Sequence, residues 1–353
     1  MNRNKRIIFC VPPTCGGAER VTLTFAKQLD IKLYNILIVV IGNEKGDIID
    51  FIPSGVSYTF LKTKNIWDFT TIKLFRLFKK KNPNIVFCSL MYLNTRVIVA
   101  AKLAGGISVV VRNNISFSRM GLLNSFLIRC FYPMADKIVL QTDEMDLEMR
   151  SCLANSCHKK FVVIPNPIDT ERIKQCVNCI NVFFDKSFVN FIYVGRIEFV
   201  KGIDVLIKAF SIVHKKIDNA KLYIVGKADD RNEYYKQQKN IVNDNQLSNN
   251  VIWTGFTNNP YAYIKQADCF VLPSRVEGLP NVILEAMYLK IPVVVTKSVP
   301  IIERIVPKER GILVEINNPT QMADAMIKAS HMKIINDFEL YDNSRIVELF
   351  NKL

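Results

Sequence analysis

The feature that most constrains this chain is a regular alternation of short apolar runs with longer stretches of helical period. Runs at 6–11, 34–41, 57–61, 85–89, 108–112, 137–141 and 161–164 read as buried strands. A second series follows at 191–195, 221–226, 250–254, 269–273 and 292–296. Between the first two runs, Val21, Leu23, Phe25, Ala26 and Leu29 mark the apolar face of a helix from Ala18 to about Leu29. Strands that alternate with helices throughout predict α/β architecture with parallel sheets.

The two series echo each other as strand, glycine turn, helix. They are separated by Ile164-Pro165-Asn166-Pro167-Ile168-Asp169 and a Cys- and Asn-bearing stretch that reads as a linker. At 353 residues the chain exceeds one ordinary core, and its 49% apolar content is ample for two sheets. The expected organisation is two Rossmann-like domains facing each other across a cleft. Residues 1–168 form the first, 169–187 the linker and 188–337 the second, with a helix at about 338–353 packing back on the first. Domain interfaces favour small-molecule sites.

Composition excludes several classes. No run of about 18 charge-free apolar residues appears, so no spanning helix is expected. The basic start, Met1 to Arg6, leads into an apolar run too short for a secretory signal, and Pro12-Pro13 stops it, so retention in the cytoplasm is expected. Nine cysteines, several in buried-looking segments (Cys10, Cys88, Cys130, Cys269), predict free thiols in a reducing compartment. Cys176 and Cys179, with Cys152 and Cys157 upstream, lack the spacing of a zinc knuckle. The net charge of +15 is lopsided, with +12 in residues 1–165. A basic half beside a near-neutral one implies an anionic partner for the first half.

Three constellations carry chemistry. Glu277-Gly278-Leu279-Pro280-Asn281-Val282 runs on to Glu285 after a buried strand. Pro280 suits the first turn of a helix, with Glu277 in the loop before it and Glu285 about two turns along. Backbone N–H groups at a helix start hold anions, and an ionised Glu accepts hydroxyl protons. That combination fits a ligand both anionic and polyhydroxylated. Gly16-Gly17-Ala18-Glu19-Arg20 lies between the first strand and first helix, where open sheets bind ligands. Read alone, it is also compatible with a plain turn holding Gly at positive φ. It is not GxGxxG, which disfavours NAD. Arg196 and Lys201, at the matching place in the second half, are two cations able to hold a diphosphate and neutralise a leaving group.

With these residues in view, the whole chain resembles a retaining glycosyltransferase of the GT-B fold in family 4, the bacterial polysaccharide and glycolipid group. The resemblance rests on Gly16-Gly17-Ala18-Glu19-Arg20, Ile164 to Asp169, Gly195-Arg196 with Lys201-Gly202, and Glu277 through Ala286. It implies transfer of a hexosyl or N-acetylhexosaminyl group from a nucleotide diphosphate sugar, UDP-linked, to a lipid-linked glycan in capsule or O-antigen synthesis. Gly16 and Gly17 would line the phosphates and acceptor side. Arg196 and Lys201 would bind the diphosphate, Glu277 the sugar hydroxyls and Glu285 the ribose. Backbone amides of Leu279 to Val282, next to Gly278, would touch sugar and β-phosphate, and the base would lie near Gly226 and Gly255-Phe256. The resemblance also implies no cofactor and no metal, the two cations and a helix dipole taking that role. Asp229-Asp230 lacks the Asp-x-Asp spacing. Many family members carry a first-domain histidine near the sugar. Here the stretch has Arg112-Asn113-Asn114 instead, and these, with Glu19, are the acceptor-side candidates.

Two basic apolar stretches, Ile72 to Lys81 and Phe117 to Met134, are each compatible with an anionic membrane surface or with packing on their own sheet. The expected location is therefore the inner face of the plasma membrane, with no nucleic-acid partner. Two rivals use the same features: a GT-B-shaped sugar-nucleotide epimerase, which would need clustered acid/base groups, and a basic nucleic-acid-binding α/β protein, which would leave the two carboxylates unexplained.

Overall fold

A computed structural model describes all residues except 1–4, 43–46, 64–68, 180–182, 228–230 and 340–341. Met1 to Asn4 of the basic start and Asp229-Asp230 therefore lie outside the described residues. The chain divides into two units, Met1–Pro167 with Leu340–Leu353, and Ile168–Glu339.

The first unit has seven strands: β1 (Lys5–Val11), β2 (Tyr34–Ile41), β3 (Ser57–Leu61), β4 (Ile85–Cys88), β5 (Ser108–Arg112), β6 (Lys137–Leu140) and β7 (Phe161–Val163). Its helices begin with α1 (Gly17–Lys27), α2 (Thr70–Lys81), α3 (Met91–Ala104), α4 (Leu122–Phe131) and α5 (Asp143–Cys152). The second unit opens with α6 (Thr170–Asn178). It continues through β8 (Val189–Val194), α7 (Ile203–His214), β9 (Ala220–Val225), α8 (Glu233–Asp244), β10 (Val251–Gly255) and α9 (Pro260–Ile264). Then come β11 (Cys269–Leu272), α10 (Asn281–Tyr288), β12 (Val293–Thr296), α11 (Ile301–Ile305), β13 (Gly311–Val314) and α12 (Pro319–Ser330). The last helix, α13 (Ser344–Asn351), belongs to the first unit.

Both sheets are parallel, in the orders β3-β2-β1-β4-β5-β6-β7 and β10-β9-β8-β11-β12-β13. A parallel sheet is covered on both faces, which is why its inner strands read as unbroken apolar runs. In the first unit, α2, α3 and α5 and one residue of α4 pack on one face. On the other face α1 meets α13, whose Phe350 lies 5.6 Å from the ring of Phe9. Each order reverses once, between β1 and β4 and between β8 and β11. Open α/β sheets take ligands outside the carboxyl ends of the strands at such places.

The α/β expectation holds in both units, and most strands fall within one or two residues of their predicted bounds. β13 was not expected. The stretch 169–187, read as a linker, carries α6, started by the Asp169 side chain accepting from the Arg172 N–H at 3.0 Å. Cys130 is exposed, not buried, because α4 buries only Ile128. Among the described residues, no helix is long and apolar enough to cross a membrane.

Candidate active site

In the second unit β8 and β11 lie side by side. Leaving β8, the chain passes Gly195-Arg196 and a short helical turn, Phe199–Lys201, before Gly202 opens α7. Gly202 has φ +69°, and a Cβ there would overlap the Pro273 carbonyl oxygen just past β11. Only glycine lets the two loops lie this close. The result is that Lys201 Nζ reaches Glu277 Oε1 at 2.7 Å, across 76 residues of sequence, with the side chains 18% and 9% exposed. The pair is half-sheltered, so its charges are strong yet still reachable by a ligand.

Arg196 lies beside them but points outward, 71% exposed, with Nη1 2.8 Å from Glu198 Oε1. Its backbone is anchored instead: the buried Tyr193 hydroxyl donates to the Arg196 carbonyl at 2.8 Å. Burial, and next the nearby Glu277 carboxylate, push the Tyr193 phenol well up, so it stays a proton donor.

Gly278, Leu279 and Pro280 lead into α10, whose first turn has no side-chain cap. Pro280 is extended, at φ −77° and ψ 108°, so the helix starts at Asn281 and not on the proline. Glu285 accordingly stands one turn along instead of two. It is buried, with the Tyr261 hydroxyl 3.5 Å from Oε1. The start of α10 presents the amides of Asn281 and Val282 at the positive end of a helix dipole, a setting for an anion.

A second link between the two loops escaped the sequence reading. Arg275 places Nη1 and Nη2 2.9 and 2.7 Å from the two carboxylate oxygens of Asp204. Its backbone N–H donates to Val200 at 2.9 Å, and its guanidinium lies 4.0 Å over the Phe199 ring. Tyr234 adds a hydroxyl to Asp204 at 2.7 Å. Burial alone would raise the Asp204 carboxyl, but bonds from Arg275 and Tyr234 hold it below the usual carboxylate range. Arg275 stands two residues before Glu277, and the Phe199 and Val200 that it holds stand immediately before Lys201. The only sequence signal was a cation in the same loop as Glu277.

The first unit is built differently. Neither Gly16 nor Gly17 has positive φ, so the plain-turn reading does not apply. Gly16 caps α1, and a Cβ there would meet Glu19 Oε2 at 2.6 Å. Glu19 folds back over the helix start and accepts from Thr14 Oγ1 at 2.9 Å, largely buried. Gly17 faces open space.

Arg112 is fully buried at the end of β5. Its Nη1 donates to Asn114 Oδ1 at 2.5 Å and its Nη2 to Asn166 Oδ1, and the guanidinium lies 5.6 Å over the Phe25 ring. No carboxylate is among these partners. Burial pulls the group down to about 9, still cationic at neutral pH. Asn113 is also buried, its amide donating to the Ile115 carbonyl at 2.6 Å. Asn114 is the most open of the three; its amide donates to the Ser89 carbonyl and its oxygen accepts from Gln141 at 3.2 Å.

Comparison with known proteins identifies the family. The family model described as Glycosyltransferase Family 4 matches residues 15–172, and that for Glycosyl transferases group 1 matches residues 182–344. An uncharacterized glycosyltransferase of Methanocaldococcus jannaschii is 32% identical over 259 residues, 67% of this chain and 62% of that protein. A Campylobacter jejuni N-acetylgalactosaminyltransferase named for a diphospho-undecaprenol acceptor is 27% identical over 333 residues, covering 89% and 87% of the two chains. The crystal structure of HepE from Anabaena with UDP-glucose matches at TM-score 0.80 and 16% identity, over 99% of this chain and all of that one. The two parallel-sheet units thus have the fold of GT-B glycosyltransferases, and the chain belongs to glycosyltransferase family 4.

Proposed function

We propose that the chain transfers a hexosyl or N-acetylhexosaminyl group from a UDP-sugar to a lipid-linked glycan, with retention of anomeric configuration and without a divalent metal. The observation that carries this reading is the Lys201–Glu277 pair at the strand-order reversal, beside the start of α10. Lys201, Arg196 and the α10 amides supply positive charge for a diphosphate, the role a metal would otherwise take. Glu277 accepts sugar hydroxyls, and Glu285 accepts from the ribose. The backbone from Gly278 to Val282 lies along the sugar and β-phosphate. The UDP-glucose seen in HepE supports the choice of nucleotide, and the name of the Campylobacter relative supports a polyprenyl-diphosphate acceptor.

The acceptor hydroxyl forms its bond to the anomeric carbon on the face that the diphosphate leaves. The carbon–oxygen bond to phosphate breaks, and a phosphate oxygen takes the hydroxyl proton. Lys201 and Arg196 stabilise the charge on that phosphate, so no histidine is required. On the acceptor side, Gly17 opens the start of α1, Asn114 is the most open of the polar residues, and Glu19, Arg112 and Asn113 hold the loops in shape.

A panel of UDP- and GDP-sugars with a pool of lipid-linked acceptors, read by mass spectrometry and anomeric NMR, tests the reading. A UDP-dependent product with retained configuration, made in the presence of EDTA and lost in Lys201→Ala, is expected. An inverted product, or turnover near wild type in that variant, refutes it.

A further inference from the structure

No step of the proposed reaction uses Cys176 or Cys179, and they are the only two of the nine cysteines that stand within three residues of each other. Cys176 lies in the last turn of α6, half-buried, and Cys179 caps the end of the helix, exposed. The Cys179 N–H donates to the Cys176 carbonyl at 3.3 Å, closing the turn between them. A turn closed in this way holds its end Cα atoms within about 7 Å, and disulfides join Cα atoms about 4.4–6.8 Å apart. Positions three apart on a helix are also neighbours on one face. The turn therefore brings the two thiols within bonding range after a small adjustment of side chains and backbone.

The core thiols make a contrast. Cys10 and Cys88 face each other across β1 and β4, but both are sealed in the core, as is Cys269. Burial pushes all three up, Cys88 to about 12, so at neutral pH they stay protonated and unreactive. The carbonyl that closes the Cys176–Cys179 turn has a second task. It accepts from Asn259 Nδ2 at 2.8 Å, and Asn259 Oδ1 in turn starts α9 by accepting from the Ala262 N–H at 3.3 Å. The Asn259 N–H donates to Thr257 Oγ1 at 3.0 Å. The dithiol turn is thus tied to the loop that leads from Gly255, at the end of β10, into α9.

We infer that Cys176 and Cys179 are a redox-active dithiol, which a low-molecular-weight disulfide converts to an intramolecular disulfide, and that the closure is felt at the start of α9. The exposed Cys179, as thiolate, attacks one sulfur of the small disulfide, forming a mixed disulfide and releasing one thiol. Cys176 then attacks Cys179 Sγ, closing the Cys176–Cys179 bond and releasing the second thiol. Two protons pass from the protein thiols to the two leaving thiolates, and two electrons pass from the dithiol to the reagent. Closing the bond draws in the last turn of α6 and shifts the Cys176 carbonyl, which strains its bond to Asn259. The inference rests on α6 and α9 alone, and its readout is mass and not turnover, so its failure and that of the transferase reading are separable.

The test incubates the full chain in a series of reduced and oxidised glutathione, quenches it with acid, alkylates the remaining thiols and reads intact mass and peptide maps. The wild-type chain is expected to lose two hydrogens, mapped to a bond between Cys176 and Cys179, and to regain them with dithiothreitol. In Cys176→Ser the exchange should stop at its first step, leaving one glutathione on Cys179. The double variant Cys176→Ser/Cys179→Ser should show neither product, at unchanged melting temperature. Amide hydrogen exchange at the start of α9, Ala262 included, should speed up several-fold in the oxidised wild type and stay constant in the double variant. A glutathione on each cysteine with no bond between them, a wild-type chain left fully reduced in excess oxidised glutathione, or a disulfide between other cysteines overturns the inference. Unchanged exchange in α9 after the bond has formed overturns its second half.

Discussion

At the carboxyl edge of the six-stranded sheet, Lys201 and Glu277 meet near the surface, and a second pair, Arg275 with Asp204, holds their loops together. At the same edge of the seven-stranded sheet, the buried cation, Arg112, donates to two amide oxygens and lies over one aromatic face, with no carboxylate partner among the described residues. One edge keeps opposite charges paired and within reach of a ligand; the other hides a charge and uses it to tie loops together. A paired, only partly sheltered site can exchange partners with an incoming diphosphate at smaller cost. A buried unpaired cation cannot, because any movement strips it of its few hydrogen bonds. Under the proposed function, the second unit is the binding edge for the charged donor and the first is a rigid frame.

The largest effect should come from the Lys201–Glu277 pair. Lys201→Ala is expected to lower turnover by about 10²–10³-fold with the fold intact, as loss of a transition-state charge contact does. Glu277→Ala should do likewise, and steady-state kinetics with circular dichroism would check both. Next is Gly202→Ala, which combines left-handed strain with a clash against Pro273 and should cost about 3 kcal/mol in urea unfolding.

Arg112→Lys and Arg275→Lys sharpen the comparison, since each keeps the charge and loses the fork. Arg112→Lys should destabilise by about 2 kcal/mol and leave UDP affinity unchanged. Arg275→Lys should destabilise by about 1 kcal/mol yet weaken UDP about tenfold, because the loops carrying Lys201 and Glu277 loosen. Equal effects of both on UDP would dissolve the distinction.

The smallest effect concerns pH. Asp204 has its folded pKa depressed, so its contribution is fully present above the unfolded value of about 4 and is lost as pH falls through the lower, folded value. Acid unfolding of wild type and Asp204→Asn should differ in that window and run parallel above it.

Much of this molecule was legible in its residues. The strands at 34–41, 57–61 and 108–112 coincide with β2, β3 and β5 because buried parallel strands leave unbroken apolar runs. β13 was missed because it is a four-residue edge strand, Gly311–Val314, with two residues half-exposed, between Arg310 and Glu315. Asp169 hid a helix start inside what looked like a linker. At the site, motif spacing located Arg196, Lys201 and Glu277, since each follows a strand end. It did not reveal that Lys201 touches Glu277 or that Arg275 grips Asp204, contacts that span 76 and 71 residues and exist only once β8 and β11 are adjacent. Arg112 was legible as a cation near the acceptor side, but its complete burial depends on Phe25 and Asn166, far away in the chain.

The central claim is that the second unit's paired edge binds the donor diphosphate through Lys201. Isothermal titration of UDP into the whole chain and into Lys201→Ala, both in EDTA, addresses it most directly. The account predicts that UDP binds the wild-type chain without a divalent ion and about tenfold or more weakly to the variant. Equal affinity in the two proteins, or wild-type binding that appears only when a divalent ion is restored, would contradict it.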